Sequence, residues 1–143
     1  LVLFFTETSR LSSEIIKKQS DNVKKKNIKS IEAMHSLKEQ SVRMKEALLK
    51  GEIDDIGKIL HYGWEHKKAM AEGISNPQIE RIYNAAMKAG ATGGKISGAG
   101  GGGFMIFYAP YNAKFKVIET LNGLGGRIMR YNFTEHGLTS WTV

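Results

Sequence analysis

The chain alternates short apolar runs with long stretches in which apolar residues return every three or four positions. Val2-Leu3-Phe4-Phe5-Thr6 is a β-prone run of strand length, closed by Glu7-Thr8-Ser9-Arg10, and it predicts a buried strand. Leu11 to Gln19 predicts a helix start with Ser9, Ser12 or Ser13 as N-cap; Asp21-Asn22 and the lysines that follow predict a break. From Asn27 to Lys50, Ile28, Ile31, Met34, Leu37, Met44 and Leu48 fall mostly on one helical face, and Gly51 is the natural stop. Glu52 to Ala71 reads as a further helix, its stripe made of Ile53, Ile56, Ile59, Leu60 and Trp64. Asn76-Pro77 supplies a cap and a first-turn proline for a third long helix through Ile79, Ile82, Tyr83, Ala86 and Met87, closed by Gly90.

The remainder reads as strand, strand, helix, strand. Gly94 to Ser97 is a short strand, and Phe104 to Ala109 a second one that Pro110 ends. Asn112 to Leu124 is a helix carrying Phe115, Ile118 and Leu121; Gly125-Gly126 then turns into Arg127 to Phe133, a strand alternating exposed arginine with buried apolar residues. Gly137 to Trp141 predicts an edge strand or an extended tail, and Trp64 and Trp141 read as core or edge packing. With the hairpin Asn27 to Ala71 set aside, the order is β-α-β-β-α-β. The predicted class is therefore α+β: a ferredoxin-like split β-α-β antiparallel sheet with helices on one face and an inserted long helical hairpin.

Composition bounds the function more than the shape. The chain has 143 residues, 41% hydrophobic and 24% charged, which suits one domain with a proper core. It contains no cysteine, which excludes a disulfide scaffold, a thiolate metal site and a cysteine nucleophile, and fits a reducing cytoplasm. Leu1 to Phe5 and Phe104 to Ala109 are too short to span a bilayer, and no basic segment precedes the first, so neither a membrane partner nor a signal peptide is expected. A start without Met, inside a strand, predicts a piece of a longer protein. The net charge is +7 and the pI near 9.6, with much of the excess in Lys17, Lys18, Lys24, Lys25 and Lys26. These lysines either attract anions or form a solvated helix face; no aromatic residue is interleaved with them, so no nucleic-acid partner is expected.

The chemistry concentrates in Gly90-Ala91-Thr92-Gly93-Gly94-Lys95-Ile96-Ser97-Gly98-Ala99-Gly100-Gly101-Gly102-Gly103. Such a loop leaves the backbone free to converge its N–H groups on an anion. Two common nucleotide loops are excluded. Gly90 to Lys95 is one spacer short of the triphosphatase loop, and Ile96 stands where Ser or Thr is needed. Gly98 to Gly103 matches G-x-G-x-x-G, yet a helix precedes it and a strand follows, the reverse of a dinucleotide fold. His61 and His66 fall about 140° apart on a helix and cannot chelate one ion together. Ser12-Ser13 has no nearby base. Arg10, between a strand end and a helix start, is either a clamp on a phosphate or hydroxyl-rich substrate or an exposed loop arginine. Lys95 is either a phosphate-facing charge or a strand-edge lysine.

Lys95-Ile96-Ser97-Gly98-Ala99-Gly100-Gly101-Gly102-Gly103-Phe104, preceded by Ala89 to Gly94, resembles the third signature motif of the GHMP kinases (galactokinase, homoserine, mevalonate and phosphomevalonate kinases). Phe4 to Ile15, His61 to Lys68 and Gly137 to Trp141 also resemble the sugar-kinase branch that acts on heptose 7-phosphates, so the resemblance covers nearly the whole chain. It implies that residues 1–143 form the family's ferredoxin-like C-terminal domain, partnered by an N-terminal domain of the same parent chain. It implies ATP and Mg²⁺ as cofactors, held mainly by that other domain, and a sugar or sugar phosphate as acceptor. Gly98, Ala99, Gly100, Gly101, Gly102 and Gly103 would line the phosphate site, with Arg10 and Lys95 as acceptor contacts. The family's main phosphate loop, a P-x-x-x-G-L-G-S-S-like stretch, is absent from this sequence, as is the segment that supplies the catalytic aspartate in many members. The resemblance therefore implies a half-site, inactive alone. The rival expectations are a free-standing ferredoxin-like ligand-binding or regulatory module and, on charge alone, a nucleic-acid-binding domain.

Overall fold

The alternation within Val2–Phe5 (β1) and Phe104–Tyr108 (β3) sends every second side chain to the same side of a sheet. The computed structural model, which describes residues 1–8 and 12–142, adds Gly93–Ile96 (β2) and Arg127–Met129 (β4). The strands form one sheet in the order β2-β3-β1-β4, every neighbour antiparallel. Val2 lies opposite Phe107 and Phe4 opposite Met105, while Ile96 pairs with Met105 from the other side. These five side chains are buried in one core with Ile79, Ile82 and Ala86 of Pro77–Lys88 (α4) and Val117 and Leu121 of Ala113–Asn122 (α5). Each such side chain contributes about 1.5–3 kcal/mol on leaving water. The ferredoxin-like order is as expected.

Three helices separate β1 from α4: Ser12–Lys24 (α1), Ile28–Lys50 (α2) and Asp55–Lys68 (α3). Asn27 caps α2 by accepting the Ser30 N–H at 3.0 Å, and Gly51 ends it in the left-handed conformation. Asn76 caps α4 in the same manner, followed by Pro77 in the first turn. α2 and α3 pack as a hairpin, in which Gln40 Nε2 donates to the Ile59 carbonyl and Gly63 leaves room for the Gln40 side chain. α3 covers the edge strand β2. There Gly57 and Gly93 lack side chains at a point where the helix and strand backbones meet.

Several sequence expectations are corrected. The first helix does not break at Asp21-Asn22; it runs to Lys24, because the Asn22 side chain donates to the Met70 carbonyl at 2.8 Å instead of competing with its own backbone. The turn comes later, at Lys26, where φ is +53°. In α2 the buried seam is Ser30, Ala33, half-buried Leu37, Gln40 and Met44, and buried Ala47, whereas Ile28, Met34 and Leu48 are exposed. The third helix starts at Asp55 instead of Glu52, after a turn closed by Gly51. β4 stops at Met129, three residues long, and pairs with Leu3 to Phe5 of β1. Phe115 faces solvent, and Trp141 is 80% exposed in an extended tail, while Trp64 is fully buried as expected. No described helix is long and apolar enough to cross a membrane.

Candidate active-site loop

Strand register decides what stands next to the glycine loop. Phe5, the last residue of β1, lies opposite Phe104, the first of β3; Ile96, the last of β2, lies opposite Met105. The loop 97–103 and the segment leaving β1 therefore emerge at the same end of the sheet. They are bonded there. The Thr6 N–H and its Oγ1 both donate to the Gly103 carbonyl, at 2.9 and 3.0 Å, and the Gly103 N–H donates to the Thr8 carbonyl at 2.7 Å. On the other flank, the Gly101 N–H donates to the Ile74 carbonyl at 2.8 Å, and Asn76 Nδ2 reaches the Gly101 carbonyl at 3.4 Å. Gly101 and Gly103 thus pin the loop to the segments after β1 and before α4. The N–H groups of Gly98, Ala99, Gly100 and Gly102 have no acceptor among the described residues.

The glycines serve different needs. Gly100 has a φ of +120°, and a Cβ there would lie 2.8 Å from the Ile74 backbone. Gly102 likewise abuts the Thr8 carbonyl. Gly98 and Gly103 are also left-handed, at +88° and +86°, but a Cβ on either would meet nothing. The loop therefore packs through two glycines and leaves two facing open space.

Two grooves share this loop as a wall. One, about 240 Å³, lies between the loop residues Gly98 to Gly100, Gly102 and Gly103, with Phe104, and Ser12 at the start of α1. The other, about 290 Å³, lies between Gly98 and Ala99 and the helical hairpin, and is lined by Lys95 of β2 and Lys67 of α3. Lys67 donates to the Gly98 carbonyl, and its ammonium is held below the ordinary lysine pKa by burial first and by the charge of Lys95 second. Of the sequence-predicted residues, Lys95 and five of the loop residues line these grooves at one end of the sheet, and Gly101 anchors the loop there through the Ile74 carbonyl. Arg10 lies outside the described residues. In the sequence Thr6 and Thr8 read only as the end of the first strand and the polar stretch that closes it, and Ile74 carries no site signal. Asn76 was legible only as a helix cap, and Lys67 only as a cation in the last turn of its helix. His61 and His66 make packing bonds, to Tyr83 Oη at 2.7 Å and the Tyr62 carbonyl at 2.8 Å.

Comparison with known proteins agrees with this architecture. The family described as GHMP kinases C terminal matches residues 44–125. The D-glycero-alpha-D-manno-heptose 7-phosphate kinase of Campylobacter jejuni is 38% identical over 142 residues, 99% of this chain and 41% of that protein. A solved structure from Campylobacter jejuni, described as a sugar kinase, is 37% identical, covers 98% of this chain and 38% of that one, and superposes with a TM-score of 0.64. Mevalonate kinase of L. major in complex with R-mevalonate shares the fold at 19% identity and a TM-score of 0.81, over 91% of this chain and 40% of its own. The chain spans about 41% of the length of the heptose phosphate kinase it matches.

Proposed function

The chain belongs to the GHMP kinases, and from that membership we propose that it is the C-terminal domain of an ATP-dependent kinase that phosphorylates a sugar or sugar phosphate, a heptose 7-phosphate in particular. The observation that carries this reading is the loop itself. Four main-chain donors stand without acceptors among the described residues, on a backbone pinned at Gly101 and Gly103 beside two grooves. Phosphoryl transfer needs positioning and charge stabilisation more than covalent chemistry from the protein. Fixed N–H groups aimed at phosphate oxygens supply it without reorganisation during the reaction. Gly98, Ala99, Gly100 and Gly102 would donate to phosphate oxygens, while Gly101 and Gly103 would hold the loop in place. Lys95 would meet the acceptor, and Arg10, two positions beyond Thr8 in the sequence, is offered as a second acceptor contact on the strength of the family resemblance.

The donor set fits phosphate and not a metal. Neither groove is lined by Asp or Glu among the described residues, so this chain offers hydrogen-bond donors and cations but no carboxylate for Mg²⁺. When bound, Mg²⁺ would neutralise the phosphates of ATP, held from the N-terminal domain of the parent chain. The isolated 143 residues are accordingly expected to be inactive. The test compares this chain with its full-length parent, each given ATP, Mg²⁺ and heptose 7-phosphate, with product followed by phosphorus NMR. Turnover by the parent alone is expected. Turnover by the isolated chain would refute the half-site, and a parent that phosphorylates no sugar or sugar phosphate would refute the kinase reading.

A further inference from the structure

The groove between the glycine loop and the helical hairpin carries more positive charge than its surroundings neutralise. Lys67 comes from α3 and Lys95 from β2, and both line a space of about 290 Å³ with Gln40, Gly63, Gly98 and Ala99. Neither lysine forms an ion pair among the described residues. Carboxylates are available nearby but are placed elsewhere. Lys68, the next residue, bridges Glu65 at 2.8 Å and Glu80 at 3.5 Å. Burial first, and then the charge of Lys95, lower the proton affinity of Lys67, and among the described residues no carboxylate pairs with either lysine. An anion between them would relieve both the repulsion and the desolvation.

The size of the groove narrows the anion. Its volume of about 290 Å³ falls just below the usual range for ligand pockets, about 300–1,000 Å³. That is room for one phosphorylated end of a small substrate. Gly100 and Gly102, whose amides have no acceptor among the described residues, line the other groove, and Gly98 and Ala99 line both. A substrate lying across the loop can therefore place one end in each. Resting on the kinase reading above, we propose that Lys67 and Lys95 seat a phosphate already carried by the acceptor, remote from the hydroxyl that is phosphorylated. The enzyme thereby selects sugar phosphates over free sugars.

The test uses the full-length parent with Lys67→Met and Lys95→Met, which keep the apolar stems and remove the charges. Lys67→Arg restores a charge at that position. Each protein is titrated calorimetrically with heptose 7-phosphate and with the free heptose, without ATP, and assayed for KM toward both substrates. The wild type is expected to prefer the phosphorylated sugar. Each Met variant should lose about tenfold to a hundredfold of that preference, with KM for ATP unchanged, and Lys67→Arg should retain most of it. A wild type without preference overturns the proposal. So does a rise in KM for ATP in its place, or an equal loss for phosphorylated and free sugar. If the wild type transfers no phosphoryl group yet keeps the binding preference and loses it in the variants, the kinase reading fails and the phosphate seat stands.

Discussion

At the scale of single residues, Gly98 and Gly100 share a sign of φ and little else. A Cβ on Gly100 would press on the Ile74 backbone at 2.8 Å in addition to straining φ, whereas a Cβ on Gly98 would meet open space. Gly100→Ala is therefore expected to cost about 3 kcal/mol, from a left-handed penalty plus overpacking, and Gly98→Ala about 1 kcal/mol from the backbone alone. Urea unfolding of the two variants measures the gap, and equal losses would contradict this packing. Any larger penalty of Gly98→Ala on turnover by the parent kinase would then belong to the space in front of the loop. Gly98 is thus the sharper probe of bound phosphate, because Gly100 is already needed to fold the loop.

At the scale of elements, α3 and α4 are joined by Tyr83. Its ring sits between Trp64 and Phe107, at 6.0 and 5.9 Å between centroids, and its hydroxyl meets His61 Nδ1 at 2.7 Å. Burial, and then the charge of Glu65, push the phenol well above its ordinary pKa of 10.0, against the opposing pull of the Gly94 main-chain N–H. The folded state thus favours the neutral phenol. Its contribution to stability is complete below about pH 10 and is lost as pH rises beyond that value. Tyr83→Phe should cost about 1 kcal/mol at neutral pH, from the lost hydrogen bond, and should flatten the alkaline limb of the stability curve. Denaturant titrations between about pH 7 and pH 11 check this; an unchanged alkaline slope would sink it.

The same scale marks where sequence patterning misleads. The α2 seam reads Ser30, Ala33, Leu37, Gln40, Met44 and Ala47, a regular three-four spacing built largely of small and polar residues. Close helix–helix approach and the bonds from Ser30 to Met70 and from Gln40 to Ile59 reward those types. A search for large apolar residues instead finds Ile28, Met34 and Leu48, which look outward. α4 was legible because its buried face carries Ile79, Ile82 and Tyr83 between a proline start and a glycine stop.

At the scale of the molecule, the ferredoxin-like order was legible because each strand is bounded by glycine, proline or charge, and only a few topologies connect such a series. The meeting of the glycine loop with the end of β1 was not, since it follows from register, which pairs Phe5 with Phe104 although 98 residues lie between them in the chain. Lys67 was hidden for a related reason. It reaches the loop only because Gly57 and Gly93 allow α3 to lie directly on β2.

That glycine-to-glycine contact has a mechanical side. α3 is a rod seated at Gly57, and at about 1.5 Å per residue Lys67 stands about 15 Å along it. A tilt of about 4° at the seat would swing the far end by about 1 Å. Gly93→Ala, which adds a methyl group where the Gly57 carbonyl now rests, is expected to raise KM for the sugar phosphate in the parent enzyme while leaving KM for ATP alone. Steady-state kinetics with each substrate varied would reveal it, and an unaltered acceptor KM would show the rod to be insensitive to its seat. The clearance between two absent side chains would then act as the calibration of a distant ammonium group, and a sequence change that alters no charge would retune the acceptor preference proposed above.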